Sequence, residues 1–424
     1  MPGLLYCPFL KPGLQFYRTP GLHPAAEALI AGLNGEHDAD AAIQEILSQH
    51  GFRAAAEAQY ALRLCAGGNS IDYAVRSGGV RIATLRPLRA GYEWKPERTG
   101  RELSRFAFLR AHEGRLLLEC PAAGARIELE PSAAARSLAA LPGGDPADPV
   151  WQLLGEAGFL ESDAANAVPA AFWEFHDLLF HTSSRAGMGR RVGATVRFQG
   201  IVEMPPAVKP PLPAEPIPLT ADTPAQPEPR FFEVLERRRS IREPGPQPIT
   251  IEQLGAFLHR SVAIRRQTQE GGMEILFRPY PSGGAIHELE FYLAVHQCRG
   301  LARGFYHYHA ANHALYAIPA EENLLNAVIG TALISWGGRF PAPNVFFTIA
   351  ARLPRIAWKY EGMAYRTILL NAGAALQTMY LAATALGLAP CAVGNGDPSL
   401  FRAITGLDPM EETSVAEFAL SSAS

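Results

Sequence analysis

The sequence predicts an α+β fold in more than one domain, and three observations carry that reading. Helical and strand-like stretches alternate without the regular strand–helix–strand period that marks a parallel sheet. A run with no charged residue from Thr367 to Gly396, rich in Leu, Ala, Met and Gln, predicts one long central helix. Ten prolines between Pro205 and Pro229 mark a break between two differently built halves.

Composition narrows the function classes. At 424 residues the chain is too long for one simple core, so two or three domains are expected. A net charge of −3 lacks the basic excess of a nucleic-acid protein. The N-terminus has no basic start followed by an apolar stretch, so no signal peptide is expected. Cys7, Cys65, Cys120, Cys298 and Cys391 are scattered, odd in number and form no CxxC. They predict neither a disulfide framework nor a zinc site, and a reducing, cytoplasmic setting.

Residues 1–165 read as small mixed units. Helices are expected at 24–33, at 39–50 up to Gly51, and at 55–65 up to Gly67 and Gly68. A strand at 81–88, a hairpin of 106–110 with 115–120 around His112-Glu113-Gly114, and a strand at 126–130 follow, then helices at 132–141 and 150–160. Short helices with a small β-wing predict winged-helix-like modules. The acidic balance assigns them to peptide binding or scaffolding. Residues 166–203 form a connecting helical segment in which 170–180 is a dense apolar helix. Its His176 is expected in the core, and with no HExxH pattern no metal is expected. Residues 204–229 are expected to be a semi-rigid, proline-rich linker.

Residues 230–424 make the second half. Helices are expected at 231–239, at 251–260 opened by Thr250, and at 321–333. Strands are expected at 290–296, at 305–309 paired with 314–318, and at 344–350, with a turn-rich loop at 278–285. The charge-free helix ends at Gly387 and is apolar all round, so it is expected to be buried on every face. A membrane span is the rival. Asn371, Gln377, Thr378 and Thr384 within it favour a core helix packed against its copy in a partner subunit. Residues 388–396 then read as a small, Gly-rich loop able to bring backbone N–H groups to a flat ligand.

Four short patterns carry candidate chemistry. Arg238, Arg239, Ser240 and Arg242 set three guanidiniums and a hydroxyl side by side, suited to forked bonds with phosphate, the alternative being a solvated helix end. Pro281, Ser282, Gly283 and Gly284 form a turn or a close approach to a ligand. Lys359 and Tyr360 are a candidate acid/base pair, the alternative being a snorkelling Lys and a packed Tyr. Val393 and Gly394 lie in the small loop after the long helix, and Cys391 beside them reads as a buried hydrophobe.

In this order the four patterns resemble the nitroreductase family of FMN enzymes, and more narrowly its SagB-type, thiazole/oxazole-peptide dehydrogenases. The stretch from Trp173 to Thr182, Tyr365 and Arg366 belong to the same resemblance, which covers 230–424 throughout. The N-terminal modules resemble those of the cyanobactin oxidases. The resemblance implies an intertwined homodimer with FMN at its interface. Arg238, Arg239, Ser240 and Arg242 would grip the phosphate and ribityl chain. Pro281, Ser282, Gly283 and Gly284 would line the flavin, and Val393 and Gly394 would present backbone to its edge. Lys359 and Tyr360 would work at the substrate. Two departures stand out: Ile286-His287-Glu288 follows the loop, and Arg402 alone offers a C-terminal cation for the phosphate.

The expected function is FMN-dependent oxidation of thiazoline or oxazoline rings in a ribosomal peptide, with a cyclodehydratase as a further partner. One rival is an NAD(P)H-dependent nitro- or quinone reductase, which needs neither the N-terminal half nor the Lys-Tyr pair. The other is a peptide-docking subunit without catalysis, against which the intact arginine string weighs. Neither nucleic acid nor membrane is an expected partner.

Overall fold

The computed structural model describes residues 4–12, 14, 21–89, 92, 102–131, 133, 143–160, 170–186, 191–221 and 228–423. It divides into two compact units, residues 1–191 and 192–424.

The first unit opens with strand β1 (Leu5–Leu10), helix α1 (Pro24–Ala31) and helix α2 (Ala39–Gly67). Gly51, at φ 79°, breaks α2 into the two segments that the sequence predicts. The hairpin of β2 (Ile71–Ser77) and β3 (Val80–Pro87) follows, then β4 (Phe108–His112), β5 (Arg115–Cys120) and β6 (Ala125–Leu129). The strands expected as a small β-wing belong to a larger sheet. Antiparallel pairing of β3 with β6 joins them into one six-stranded sheet, ordered β1-β2-β3-β6-β5-β4. Val75, Leu85, Leu118 and Ile127 pack from this sheet against Trp151 and Leu154 of α3 (Pro149–Glu156). The helix expected at 132–141 lies, but for Ala133, outside the described residues.

The segment expected as a buried helix at 170–180 is different. A single turn at Ala170–Phe172 precedes helix α4 (Phe175–Ser183). Phe172, Trp173 and Phe175 are exposed, and so is His176, so the core role expected of that histidine does not hold.

The second unit is a two-sided α+β sandwich. Its elements are β7 (Pro216–Pro218), α5 (Phe231–Arg237), α6 (Ile251–Val262), the hairpin β8 (Arg266–Glu270) and β9 (Met273–Phe277), β10 (Leu289–Val295), β11 (Gly304–His309) and β12 (Ala314–Ile318). There follow α7 (Glu322–Ser335), β13 (Val345–Arg352), α8 (Leu353–Lys359), α9 (Ala364–Ala385), β14 (Leu388–Val393), α10 (Pro398–Thr405) and β15 (Glu412–Ser422). Seven strands form one antiparallel sheet, ordered β14-β15-β13-β10-β11-β12-β7. Side chains alternate across it as a pleat requires. Phe291, Leu293, Phe347 and Phe418 face α6 and α9, where Phe257 and Met379 meet them. Tyr292, Phe346 and Ala419 face α7 and α10, where Leu325, Ile329 and Phe401 meet them. The capping box of Thr250 and Gln253 opens α6 at the expected residue.

Three expectations need correction here. The proline-rich stretch expected as a semi-rigid linker is, over its described residues 204–221, part of the second unit's fold. Lys209 bonds Tyr292 and Glu412, and Pro216–Pro218 pairs with β12 as the outermost strand. Proline tolerates that position because an edge strand has a side that needs no N–H. The part of 166–203 after residue 191 is not helical and belongs to the second unit. Residues 388–393 are not loop but β14, with the turn beginning only at Gly394.

Helix α9 is long and apolar enough to cross a membrane, and in this chain it packs along the sheet. It is not buried on every face: Tyr365, Leu369 and Leu370 are exposed.

Candidate functional site

The predicted site residues gather into two clusters at different levels of α9, one around Asn371 and one around Tyr380. Nine residues of helix separate these two side chains, an axial rise of about 14 Å.

At Asn371 the loop 281–288 is tied into a closed ring. The Gly283 N–H donates to Asn371 Oδ1 (3.0 Å), and Asn371 Nδ2 donates to Ser282 Oγ (3.0 Å) and Glu288 Oε1 (2.9 Å). Ser282 Oγ accepts from the His287 N–H (3.0 Å) and donates to Glu288 Oε2 (3.4 Å). Glu288 is wholly buried, and burial pushes its carboxyl above the usual range. The backbone within the ring is strained. Gly284, Ala285 and His287 have φ of 60°, 55° and 48°, a region that residues with a Cβ enter at a cost. Burial also pushes the His287 imidazole down to about 3, so this histidine is neutral, and its Nδ1 is buried without a partner.

This ring holds Gly284 against the predicted acid/base pair. A Cβ at Gly284 would fall 2.6 Å from both Lys359 Nζ and Tyr360 Oη, and the φ of 60° there also favours glycine. Burial, and after it the charge of Glu288, pushes the Tyr360 phenol up. The pair is fixed from behind. Arg355, fully buried on α8, donates to the carbonyls of Ile286 (3.0 Å), Pro205 (2.6 Å) and Glu274 (2.6 Å). Trp358 Nε1 donates to Val202 O (2.7 Å). Gly193 and Glu361 exchange backbone bonds of 3.1 and 2.9 Å, and Val196 N–H donates to Lys359 O (3.1 Å). The segment 193–205 thus brackets Lys359 and Tyr360.

At Tyr380 the arrangement is open. The phenol oxygen lies 2.7 Å from Ser240 Oγ and accepts the Ala392 N–H at 2.7 Å. The Arg238 guanidinium lies 5.3 Å from the centre of the Tyr380 ring. Ile241 N–H donates to Pro390 O (2.8 Å) on β14. The string from Arg238 to Arg242 therefore runs along the edge of β14, whose end carries Val393 and Gly394. Arg239, Ser240 and Arg242 are exposed, and Arg239 and Arg242 have no side-chain hydrogen-bond partner among the described residues. A Cβ at Gly394 would meet nothing within 4 Å, so its backbone is open to a ligand. Burial pushes the Cys391 thiol up, in keeping with a small apolar role.

The Nitroreductase family pattern matches residues 235–419. The protein MJ1384 of Methanocaldococcus jannaschii, named for a nitroreductase, is 32% identical over 168 residues, which is 39% of this chain and 78% of that protein. The chain belongs to the nitroreductase family. The trifolitoxin-processing protein TfxB of Rhizobium leguminosarum bv. trifolii is 30% identical over 34% of this chain, and the chain spans only 39% of TfxB. Among solved structures, a nitroreductase-like protein of Anabaena variabilis has a TM-score of 0.41 at 19% identity, over 57% of this chain and 45% of that one. The McbBCD microcin synthetase complex of E. coli has a TM-score of 0.37 at 18% identity, over 56% of this chain and 89% of that one.

Within this nitroreductase-family unit the structure brings together Lys359, Tyr360, Ser282, Gly283 and Gly284. Separately it brings together Arg238, Arg239, Ser240, Arg242, Val393 and Gly394. Pro281 is exposed at the entry to the first group. Asn371, Glu288 and Tyr380 were not singled out as site residues. Asn371 shows in the sequence only as a polar break in an apolar run, Glu288 only as part of an unusual continuation of the loop, and Tyr380 carries no signal.

Proposed function

We propose that the 192–424 unit binds FMN and, as an intertwined homodimer, dehydrogenates thiazoline or oxazoline rings of a ribosomally made peptide to thiazole or oxazole. The observation that carries this reading is the meeting of Lys359 and Tyr360 at Gly284. A proton-handling pair is there held beside a loop whose backbone is shaped for close approach.

The residues present fit FMN. Arg239 and Arg242 offer unpaired guanidiniums for a phosphate, Ser240 adds a hydroxyl, and Gly394 offers open backbone at the end of β14. FMN, when bound, supplies a hydride acceptor that oxygen regenerates. The chain does the rest. Lys359 takes the carbon-bound proton as the ring gives up its hydride. Tyr360 keeps its own proton, because burial and Glu288 push its phenol up, and it orients the substrate as a donor. The Asn371 ring fixes Ser282, Gly283 and Gly284 so that neither partner has to be reordered at each turnover.

Exposed Tyr365, Leu369 and Leu370 on α9, with Phe231 and Phe232 on α5, form the apolar surface that a second copy covers. The two clusters then complete each other across the dimer. The first unit holds the peptide, as the acidic balance and the name of TfxB favour, and a cyclodehydratase supplies the azoline. All five cysteines are free, which suits a reducing cytoplasm. The second reading, an NAD(P)H-dependent reductase, is favoured by the name of the M. jannaschii relative.

The purified full-length protein should be yellow and dimeric, with FMN bound stoichiometrically, and should aromatise an azoline peptide in air without NAD(P)H. A colourless monomer would defeat the cofactor reading. A yellow dimer that turns over nitro compounds or quinones with NAD(P)H and ignores azoline peptides would establish the reductase instead.

A further inference from the structure

Glu417 is a buried titratable group that the chemistry above leaves unused. It lies on β15, paired in register with Thr348 of β13 and Val393 of β14, on the side of the sheet that carries α7 and α10. The residue is 7% exposed. Its carboxyl has no hydrogen-bond or ionic partner among the described residues. It lies instead against the turn that leaves β14. A Cβ at Gly396 would fall 2.0 Å from Oε1, 2.1 Å from Cδ and 2.2 Å from Oε2 of Glu417. Gly396 does not have a positive φ, so what a side chain there would meet is the Glu417 carboxyl itself, which would have to shift.

The groups around Glu417 leave it electrostatically isolated. Thr348 and Val393 flank it, and Gly396 lies against its carboxyl. Asp397, next in the turn, is occupied with the N–H and hydroxyl of Ser399 at 2.8 and 2.5 Å. Tyr292, one strand further along the same face, is bonded to Glu412 and Lys209. Arg402 of α10 is exposed.

We infer that Glu417 is a positioning residue for the 393–396 turn, which it holds in place while protonated and releases when ionised. The inference rests on the proposed function in one respect: that turn is the one offered to the flavin. A neutral carboxyl can lie unpaired against Gly396 at modest cost, whereas a carboxylate must draw in water or move out, and the turn moves with it. Burial alone pushes this carboxyl up to about 7, so the exchange falls within the physiological range. The direction follows. The raised group favours the folded turn fully below the ordinary glutamate range, and that support is lost as pH rises through about 7.

The test is the FMN dissociation constant of the full-length chain, followed by flavin fluorescence from about pH 5.5 to about pH 8.5. The wild type should bind about tenfold more weakly at the alkaline end, and Glu417→Gln, neutral at every pH, should remove that dependence. Equal pH dependence in both proteins overturns the inference. Gly396→Ala should weaken FMN binding, and adding Glu417→Ala should recover part of the loss by freeing space. Strictly additive effects overturn the contact. Should Glu417→Gln not fold, infrared spectroscopy of the wild type decides: the protonated carboxyl band, to which the buried Glu288 also contributes, must lose intensity on passing pH of about 7. A band whose intensity does not fall between about pH 5.5 and about pH 8.5 overturns the inference. A wild type that binds no FMN at any pH defeats the cofactor reading. The carboxyl titration and the coupling of residues 396 and 417 in thermal stability then decide on Glu417 separately.

Discussion

The two ends of α9 are built on opposite principles. Around Tyr380, Arg239 and Arg242 are exposed with no side-chain hydrogen-bond partner among the described residues, and backbone pairing with β14, the Tyr380 hydroxyl and the contact of Arg238 with the Tyr380 ring hold the string in place. Around Asn371 every bond is closed within the chain, the carboxyl is buried, and three residues sit at positive φ. An open array of donors waits for a ligand to complete it. A closed, strained ring needs no ligand and keeps its geometry before any arrives. On the proposed function the first end would be a holding site and the second an acting site, and they should fail differently.

The largest effect should come from the acting site. Lys359→Ala combined with Tyr360→Phe should slow azoline turnover by about a hundredfold or more, the scale of a general base, while the flavin content of the purified protein stays normal. Full activity in this double variant would break the comparison and remove the dehydrogenase mechanism. At the holding site the pattern should reverse. Arg239→Ala and Arg242→Ala should each weaken FMN binding by about tenfold, the scale of a lost charged hydrogen bond, with turnover recovered by excess FMN. A turnover defect that excess FMN does not repair would merge the two ends into one site.

A smaller effect sharpens the claim that the Asn371 ring is self-sufficient. Asn371→Ala leaves the Gly283 N–H and the Glu288 carboxyl short of partners, and should cost about 1–3 kcal/mol of stability by denaturant titration even without FMN. Loss of stability only in the presence of FMN would contradict that claim. The last effect is read along the pH axis. His287 has its pKa depressed in the fold, so its contribution is complete above the ordinary histidine value and declines as pH falls towards about 3. His287→Gln should therefore lose less stability than the wild type on acidification, by at most about 1.4 kcal/mol per pH unit. Parallel acid limbs would show that His287 is not the neutral buried group described.

What the sequence showed and hid follows from how each part is stabilised. The long helix was legible because a run without charge must find a core, and the arginine string because its residue types cluster in a few positions. Strand β15 was not, since Glu412, Ser414 and Glu417 interrupt it. Glu412 is buried there only because Lys209 and Tyr292, far away in sequence, meet it. The hairpin of β8 and β9 was missed because Arg266–Glu270 is polar and largely solvent-facing, with no apolar alternation to read. The ring at Asn371 was missed for a stronger reason. Its bonds to Asn371 join positions 83 to 89 residues apart, and no local pattern encodes such a meeting. The proline count between 204 and 229 argues for a semi-rigid linker and not for a strand, because proline density speaks against interior strands and says nothing about borders.

That border has a consequence for how the protein keeps to itself. Antiparallel sheets end in a row of backbone groups that can recruit a strand from another molecule. Here the last strand beyond β12 is Pro216-Ile217-Pro218, three residues long and with two of its three amide donors chemically absent. A stray chain arriving at this side finds almost nothing to pair with. The same prolines that look in the sequence like a connector act in the fold as a selvedge, finishing the edge of the sheet against fraying and against unwanted attachment.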